Sequence, residues 1–299
     1  MMGGNHAVCG AAAWTAVASR VEIPLGSAAW LDAPWQAVTG ARLPETITVG
    51  LGLIAAEPAG FLAGLLVCAG AALLPDADHR HASIAQALPP VSRWLCARLG
   101  RVAGGHRQGT HSAVGLVVLA VLAWLTGLWA WEAGRVGGVD LGTVYPGAGL
   151  AAVLLVSLAA KALRFIPDTM RRTPWVLGVA AGAFVGLAGP EDQRWFVAAV
   201  VLGAAAHVAG DLLTTGGCNI LWPLRLRRPR AVSRVPLLGR LWRPNGNLAV
   251  PLLGSTGSRR EWMLAVPVAA YALAGTGASA AALLLGPAAL AGLPVPLPR

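Results

Sequence analysis

Long apolar runs separated by short polar, arginine-bearing segments set the pattern of the chain. The runs cover residues 6–19, 50–74, 112–131, 147–166, 174–189, 195–215 and 263–292. A hydrocarbon core about 30 Å thick takes roughly 20 helical residues, so 112–131, 147–166 and 195–215 read as spans outright. Residues 174–189 are shorter, 50–74 are interrupted by Glu57-Pro58, and the small-residue stretch 6–19 either spans thinly or packs half-buried. The expected fold is all-α, a polytopic membrane helical bundle of about six to seven apolar helices. Residues 20–49, with Pro24, Pro34 and Pro44, read as an irregular loop with a surface turn of helix near Trp30 and Trp35. Between Pro89-Pro90 and Gly104-Gly105 the pattern predicts one amphipathic, arginine-bearing helix over Val91–Val102, suited to an anionic membrane surface. No internal repeat is visible. Residues 1–299 read as a single membrane-embedded domain: a core over 1–224, an arginine-rich segment over 225–261 and a C-terminal apolar helix or helices over 262–299.

Composition agrees, since 56% apolar and 12% charged residues with a mean hydropathy of +0.63 exclude an ordinary soluble domain. A net charge of +10 on a soluble domain would point to nucleic acid; here the arginines lie between apolar runs and report topology, so no nucleic-acid binding is expected. Segments 75–110, 166–173 and 216–261 hold five, two and nine arginines, whereas 20–49, 132–146 and 190–194 hold two, one and one among seven acids. The first set is therefore expected on the cytoplasmic side of a bacterial inner membrane. The cysteines at 9, 68, 96 and 218 form no paired spacing, which argues against a disulfide framework or a thiolate zinc site. No cleavable signal peptide is expected, because a basic segment ahead of the first apolar stretch is missing.

Candidate chemistry gathers where apolar runs end. Leu73-Leu74-Pro75-Asp76-Ala77-Asp78-His79-Arg80-His81 delivers carboxylates and imidazoles together, the ligand types that hold Zn²⁺, Mn²⁺ or Fe. A hydrated helix cap is the plain alternative, and His81 reads equally well as a solvated loop residue. His207 and Asp211, at i and i+4, share one helix face. In Gly105-His106-Arg107-Gln108-Gly109-Thr110-His111-Ser112, Thr110 is placed to cap the next span, His111 to face the site and His106 to support it. Arg107 is placed to fork onto an anionic substrate, its alternative being a topology signal. Thr214-Thr215-Gly216-Gly217 reads as a tight exit loop whose amides can approach an anion. The topology also brings His6 to this face, so four separated segments converge there.

In this order, the N-terminal His, Leu-Pro-Asp-x-Asp-His, His-Arg-x-x-Thr-His-Ser and His-x-x-x-Asp-x-x-Thr with a following Gly and Trp-Pro resemble the YdjM-like bacterial inner-membrane proteins. The resemblance covers roughly residues 1–224 and implies a metal-dependent hydrolase in which His6, Asp76, Asp78, His79, His111, His207 and Asp211 match the family's polar positions. A more distant similarity to zinc-dependent phospholipase C and P1-type nucleases implies phosphoester chemistry by fold analogy. Gln108-Gly109 and the long arginine-rich stretch depart from the family pattern without touching the ligand set.

The expected function is therefore a membrane-bound hydrolase at the cytoplasmic face, with Asp78, Asp211 and His111 in catalytic roles and Arg107 on substrate. The expected cofactor is a divalent metal, zinc ahead of manganese or iron, and the expected substrate a lipid-borne phosphoester. The rivals are a divalent-cation transporter, which needs ligands near the midplane, and a membrane adaptor with a structural metal.

Overall fold

The computed structural model describes residues 1–24, 32–42, 45–87, 90–164, 170, 172–192, 194–229 and 235–286. The chain is mostly helical, with 63% helix against 4% strand, which places the all-α expectation on firm ground. The helices are α1 (Gly3–Ala18), α2 (Asp32–Thr39), α3 (Pro58–Ala71), α4 (Val91–Val102), α5 (Ala113–Gly127), α6 (Pro146–Ala162), α7 (Thr173–Ala188), α8 (Trp195–Leu212), α9 (Pro236–Leu241) and α10 (Arg259–Leu285). Pro58, Pro146, Pro174 and Pro236 stand in first turns, where the missing N–H costs nothing and φ is preset. Ser112 and Ser258 cap α5 and α10 by accepting from Gly115 N and Glu261 N.

Among the described residues, three stretches are long and apolar enough to cross a membrane: Pro58–Asp78, Trp195–Leu212 and Arg259–Leu285. Ala113–Gly127, Pro146–Ala162 and Thr173–Ala188 are apolar but shorter. Helix α3 is the hub of the bundle, burying Phe61, Val67, Cys68 and Ala71 completely. The backbone of α1 reaches it through Gly10 and that of α8 through Gly203, each on the Cys68 carbonyl. Small residues let helices approach where lipid supplies no hydrophobic drive between them. Trp14 of α1 packs across the same helix and donates its indole N–H to Phe61 O at 2.9 Å.

Residues 20–49 differ from the irregular loop expected. Val21–Pro24 and Thr46–Val49 pair as an antiparallel ribbon, with α2 between them. β-branched Val21, Ile23, Thr46, Ile47, Thr48 and Val49 favour the pleated backbone, and the flanking prolines hid that signal. The helical turn at Trp35 is present, whereas Trp30 falls outside the described residues, as do 166–169, Arg171, Arg230, Arg234 and 287–299.

The arginine-rich segment is not a free appendage. Val250 N–H donates to Leu212 O, Leu253 N–H to Leu213 O and Thr215 N–H to Gly254 O, while Cys218 and Leu248 exchange both backbone bonds. These pairings satisfy carbonyls that end α8, and the buried Cys218, Ala249 and Leu253 seal them. Residues 242–254 thus form a floor under the same bundle end that carries Asp76 and Asp211. Fully buried Glu261 ties α10 to α1 at that end, accepting from Met2 N at 2.7 Å, Asn5 Nδ2 at 2.6 Å and Gly257 N at 2.8 Å.

Candidate metal centre

Each donor arrives from a helix end. His6 sits in the first turns of α1, and Asp76 and Asp78 on the 3-10 turn Pro75–Asp78 that follows α3. His111 lies on the 3-10 turn Gly109–His111 before α5, and His207 and Asp211 in the last turns of α8. Of the sequence-predicted set, His6, His111, His207, Asp78 and Asp211 are buried and Asp76 is partly open.

His207 Nδ1 lies 2.7 Å from Ala72 O, so it carries the proton and leaves the Nε2 lone pair facing inward. Around that atom stand His111 Nε2 at 3.1 Å, Asp76 Oδ1 at 3.6 Å and Asp211 Oδ2 at 3.9 Å. His111 Nε2 is in turn 3.7 Å from Asp76 Oδ1 and 3.6 Å from Asp211 Oδ2. Four donors about 2.0–2.1 Å from a common centre at tetrahedral angles stand about 3.3–3.4 Å apart. His111 and His207, with Asp76 and Asp211 each within 3.9 Å of both, thus lie near that spacing in five of their six separations. The His6 ring stacks on His207 with centroids 3.6 Å apart, its Nε2 is 3.4 Å from Asp211 Oδ1, and its buried Nδ1 has no hydrogen-bond partner. By proximity of donor atoms, His6, His207 and Asp211 form one metal-capable group and Asp76, His106 and His111 another.

Asp78 points elsewhere. Its Oδ1 lies 2.8 Å from His106 Nδ1; its Oδ2 accepts from Thr110 Oγ1 at 2.6 Å and Arg107 N at 3.1 Å, and lies 3.4 Å from His111 Nδ1. One carboxylate therefore aims two imidazoles, turning both Nε2 atoms away from itself, as outer partners of metal-bound histidines do. Thr110 is spent on this contact, and Ser112 rather than Thr110 caps α5, because the 3-10 turn moves the helix start two residues on. His106 enters a metal-capable group that sequence reasoning left it out of. His79 enters neither: its ring stands 4.8 Å from that of His106 and 5.5 Å from that of His81 at the outer edge.

Arg107 is directed at the protein. Nη2 donates to Asp211 Oδ1 at 3.1 Å and Nη1 to Thr214 Oγ1 at 3.3 Å, while Nε lies 2.9 Å from Asp211 Oδ2 but off the hydrogen-bond direction. The residue adopts φ 63°, a left-handed backbone rare outside glycine, held by Arg107 N on Asp78 and by Asn219 N–H on Arg107 O. The guanidinium lies so close to Gly216 that a Cβ there would meet Nη1. The Gly216-Gly217 loop thus receives an arginine where an anion was expected. The Met1 amino group also donates to Asp211 Oδ1, at 2.6 Å.

Burial disfavours a charged His111, but Asp76 and Asp78 outweigh it and lift the imidazole from 6.5 to about 9. The protonated ring donates from Nδ1 towards Thr110 and from Nε2 to His207 Nε2, matching both short distances. A metal ion must displace that second proton. The sign follows: His111 stabilises the metal-free fold fully below pH 6.5 and loses this contribution as pH rises through about 9. Metal affinity runs the other way. It is expected to rise by about tenfold per pH unit up to that limit and level off above it, which chelator competition across the range measures.

No curated protein and no solved structure matches the chain. The YdjM inner membrane protein family matches it over residues 1–283, beyond the roughly 1–224 expected and through the floor and most of α10. With the motifs at its helix ends gathered into one buried cluster, the chain belongs to the YdjM inner membrane protein family.

Proposed function

We propose that the protein is a membrane-bound, metal-dependent hydrolase working at the cytoplasmic face of the inner membrane on a phosphoester carried by lipid. The observation that supports it is the convergence of Asp76 and Asp211 on the His111–His207 pair at 3.1–3.9 Å, at one bundle end. Nitrogen and oxygen donors of this kind suit zinc, with manganese or iron bound more weakly. Bound there, a divalent ion supplies Lewis acidity, polarising a scissile group and lowering the pKa of water. The chain's own residues do the rest. Asp78 fixes the rings of His106 and His111, Arg107 holds Asp211 in place, and half-open Asp76 and His106 form the edge that substrate meets. The three shorter apolar helices are read as spans alongside the three long ones, giving with α1 a bundle of about seven crossings.

Donors at helix ends favour hydrolysis over transport, which calls for ligands near the midplane. The deciding experiment sets zinc flux into sealed proteoliposomes against hydrolysis of a phosphoester by the same zinc-loaded preparation. Hydrolysis without flux is expected. Saturable flux without hydrolysis overturns the reading in favour of a transporter, and zinc bound with neither activity leaves the adaptor.

The side of the membrane rests on the arginine asymmetry. Reporter fusions after residues 100 and 240 are expected to be cytoplasmic and one after 140 external; the reverse pattern places the site outside.

A further inference from the structure

Helix α4 presents three faces. Ser92, Cys96 and Gly100 turn inward, and Gly100 sits so close to the metal-site turn that a Cβ would strike Asp78 O. Val91, Trp94, Leu95, Leu99 and Val102 form an exposed apolar stripe, from 40% exposed at Leu99 to 76% at Val102. Arg93, Arg98 and Arg101 are exposed beside it, Arg98 resting over Trp94 at 5.0 Å. None of these arginines joins an ion pair among the described residues. At its C-terminal end α4 meets a second strip of the same character: Arg225 Nη2 donates to Gly104 O, and Leu221, Leu224 and Leu226 around it are exposed.

A helix this short, with three arginines, does not cross a bilayer. Its level is nevertheless set, because it is seated through Gly100 on the turn that ends the span Pro58–Asp78. At that depth an apolar stripe meets the upper acyl chains and arginines meet phosphates. We infer that α4 and the 221–226 strip form a lip lying in the membrane interface that binds anionic phospholipid headgroups beside the opening of the metal cluster. Charge complementarity selects anionic phospholipid over a protein partner: Arg93 bonds Gln86 and Arg101 bonds Ala97 O, both neutral, and the lip carries no carboxylate to offset its charge. The inference needs the chain to sit in a membrane, as its family does, and does not depend on hydrolysis.

The full chain in proteoliposomes tests it. Bilayers of phosphatidylcholine alone are compared with bilayers containing phosphatidylglycerol, each with some chains brominated near the headgroup. The Trp94 emission is taken as wild type minus Trp94→Phe. It is expected to be quenched by the brominated lipid, more strongly when phosphatidylglycerol is present. Phosphatidylglycerol retained on the detergent-purified protein is expected to fall about tenfold or more in the Arg93→Gln/Arg98→Gln/Arg101→Gln variant. Zinc content is read in parallel and is expected to be unchanged, which shows that the variant is folded. Trp94 reached by iodide in water but not by brominated lipid overturns the inference, and so does shielding from both, which would mean a protein cover. Equal phosphatidylglycerol retention by wild type and variant overturns it as well. Failure of hydrolysis with normal quenching counts against the proposed function alone.

Discussion

Asp211→Asn is expected to purify without zinc from supplemented growth and to lose hydrolysis, whereas Asp78→Asn is expected to keep a weakened site. The difference lies in what each carboxylate faces. Asp211 Oδ2 is among the inner donors, 3.6 Å from His111 Nε2 and 3.9 Å from His207 Nε2, so the amide removes a charged ligand. Asp78 acts through His106 and His111, and outer partners of this type typically account for about 10–100-fold in metal affinity or activity. Asp211→Asn also deprives Arg107 of its counter-charge, which costs folding stability. His111→Asn provides a second check: its amide can still donate towards Asp78 and Thr110 while Nε2 is gone. Metal content by elemental analysis and turnover of a soluble phosphoester read both. Full zinc occupancy in Asp211→Asn and His111→Asn would remove these residues from the ligand set.

Gly203→Ala is expected to be among the most damaging single methyls in the bundle. The added Cβ would stand 2.3 Å from the Cys68 carbonyl oxygen, backbone of the hub helix that cannot rotate away. Overpacking usually costs about 1–3 kcal/mol, and the upper end or beyond is expected because α3 and α8 must separate. The same change at Gly277, also helical but with nothing within 4 Å of the new atom, is expected to gain about 0.5–1 kcal/mol from helix propensity. Unfolding in detergent titrated with a denaturing surfactant compares them. Since α3 leads into the turn that bears Asp76 and α8 carries His207 and Asp211, the weakened packing is expected to appear as weaker zinc binding too.

Much of this was legible in the sequence, because in a bundle of alternating direction every second helix end faces the same way. Positive charge marks those ends, and that parity alone brings His6, Asp76, His111, His207 and Asp211 together. Direction within a turn was not legible. Asp76 and Asp78 sit on a 3-10 turn, where side chains two apart diverge by about 120°, so one faces the donors and the other the histidines behind them. His106 was undervalued for the same reason: its position depends on Asp78 and on the left-handed Arg107. Glu261 had a readable signal, the Ser258-x-x-Glu261 capping pattern. Its further bonds to Met2 and Asn5 join residues too distant along the chain for any local pattern to announce. The floor over 242–254 lies inside a segment whose composition is dominated by arginine, although it holds only Arg243 beside the buried Ala249 and Leu253.

The clamp of Glu261 onto Met2 and Asn5 fixes an order of events during synthesis. Residues leave the ribosome from the N-terminus, so His6 emerges before Asp211, and Glu261 later still. Until then α1 has neither its α8 neighbour nor its anchor, and His6 has only empty space where His207 will stack. A product stalled before Asp211 therefore lacks part of the donor set, and one stalled before Glu261 lacks the clamp on α1. Any metal capture by the full donor set then waits for α8 to pack beside α1, and the clamp follows it.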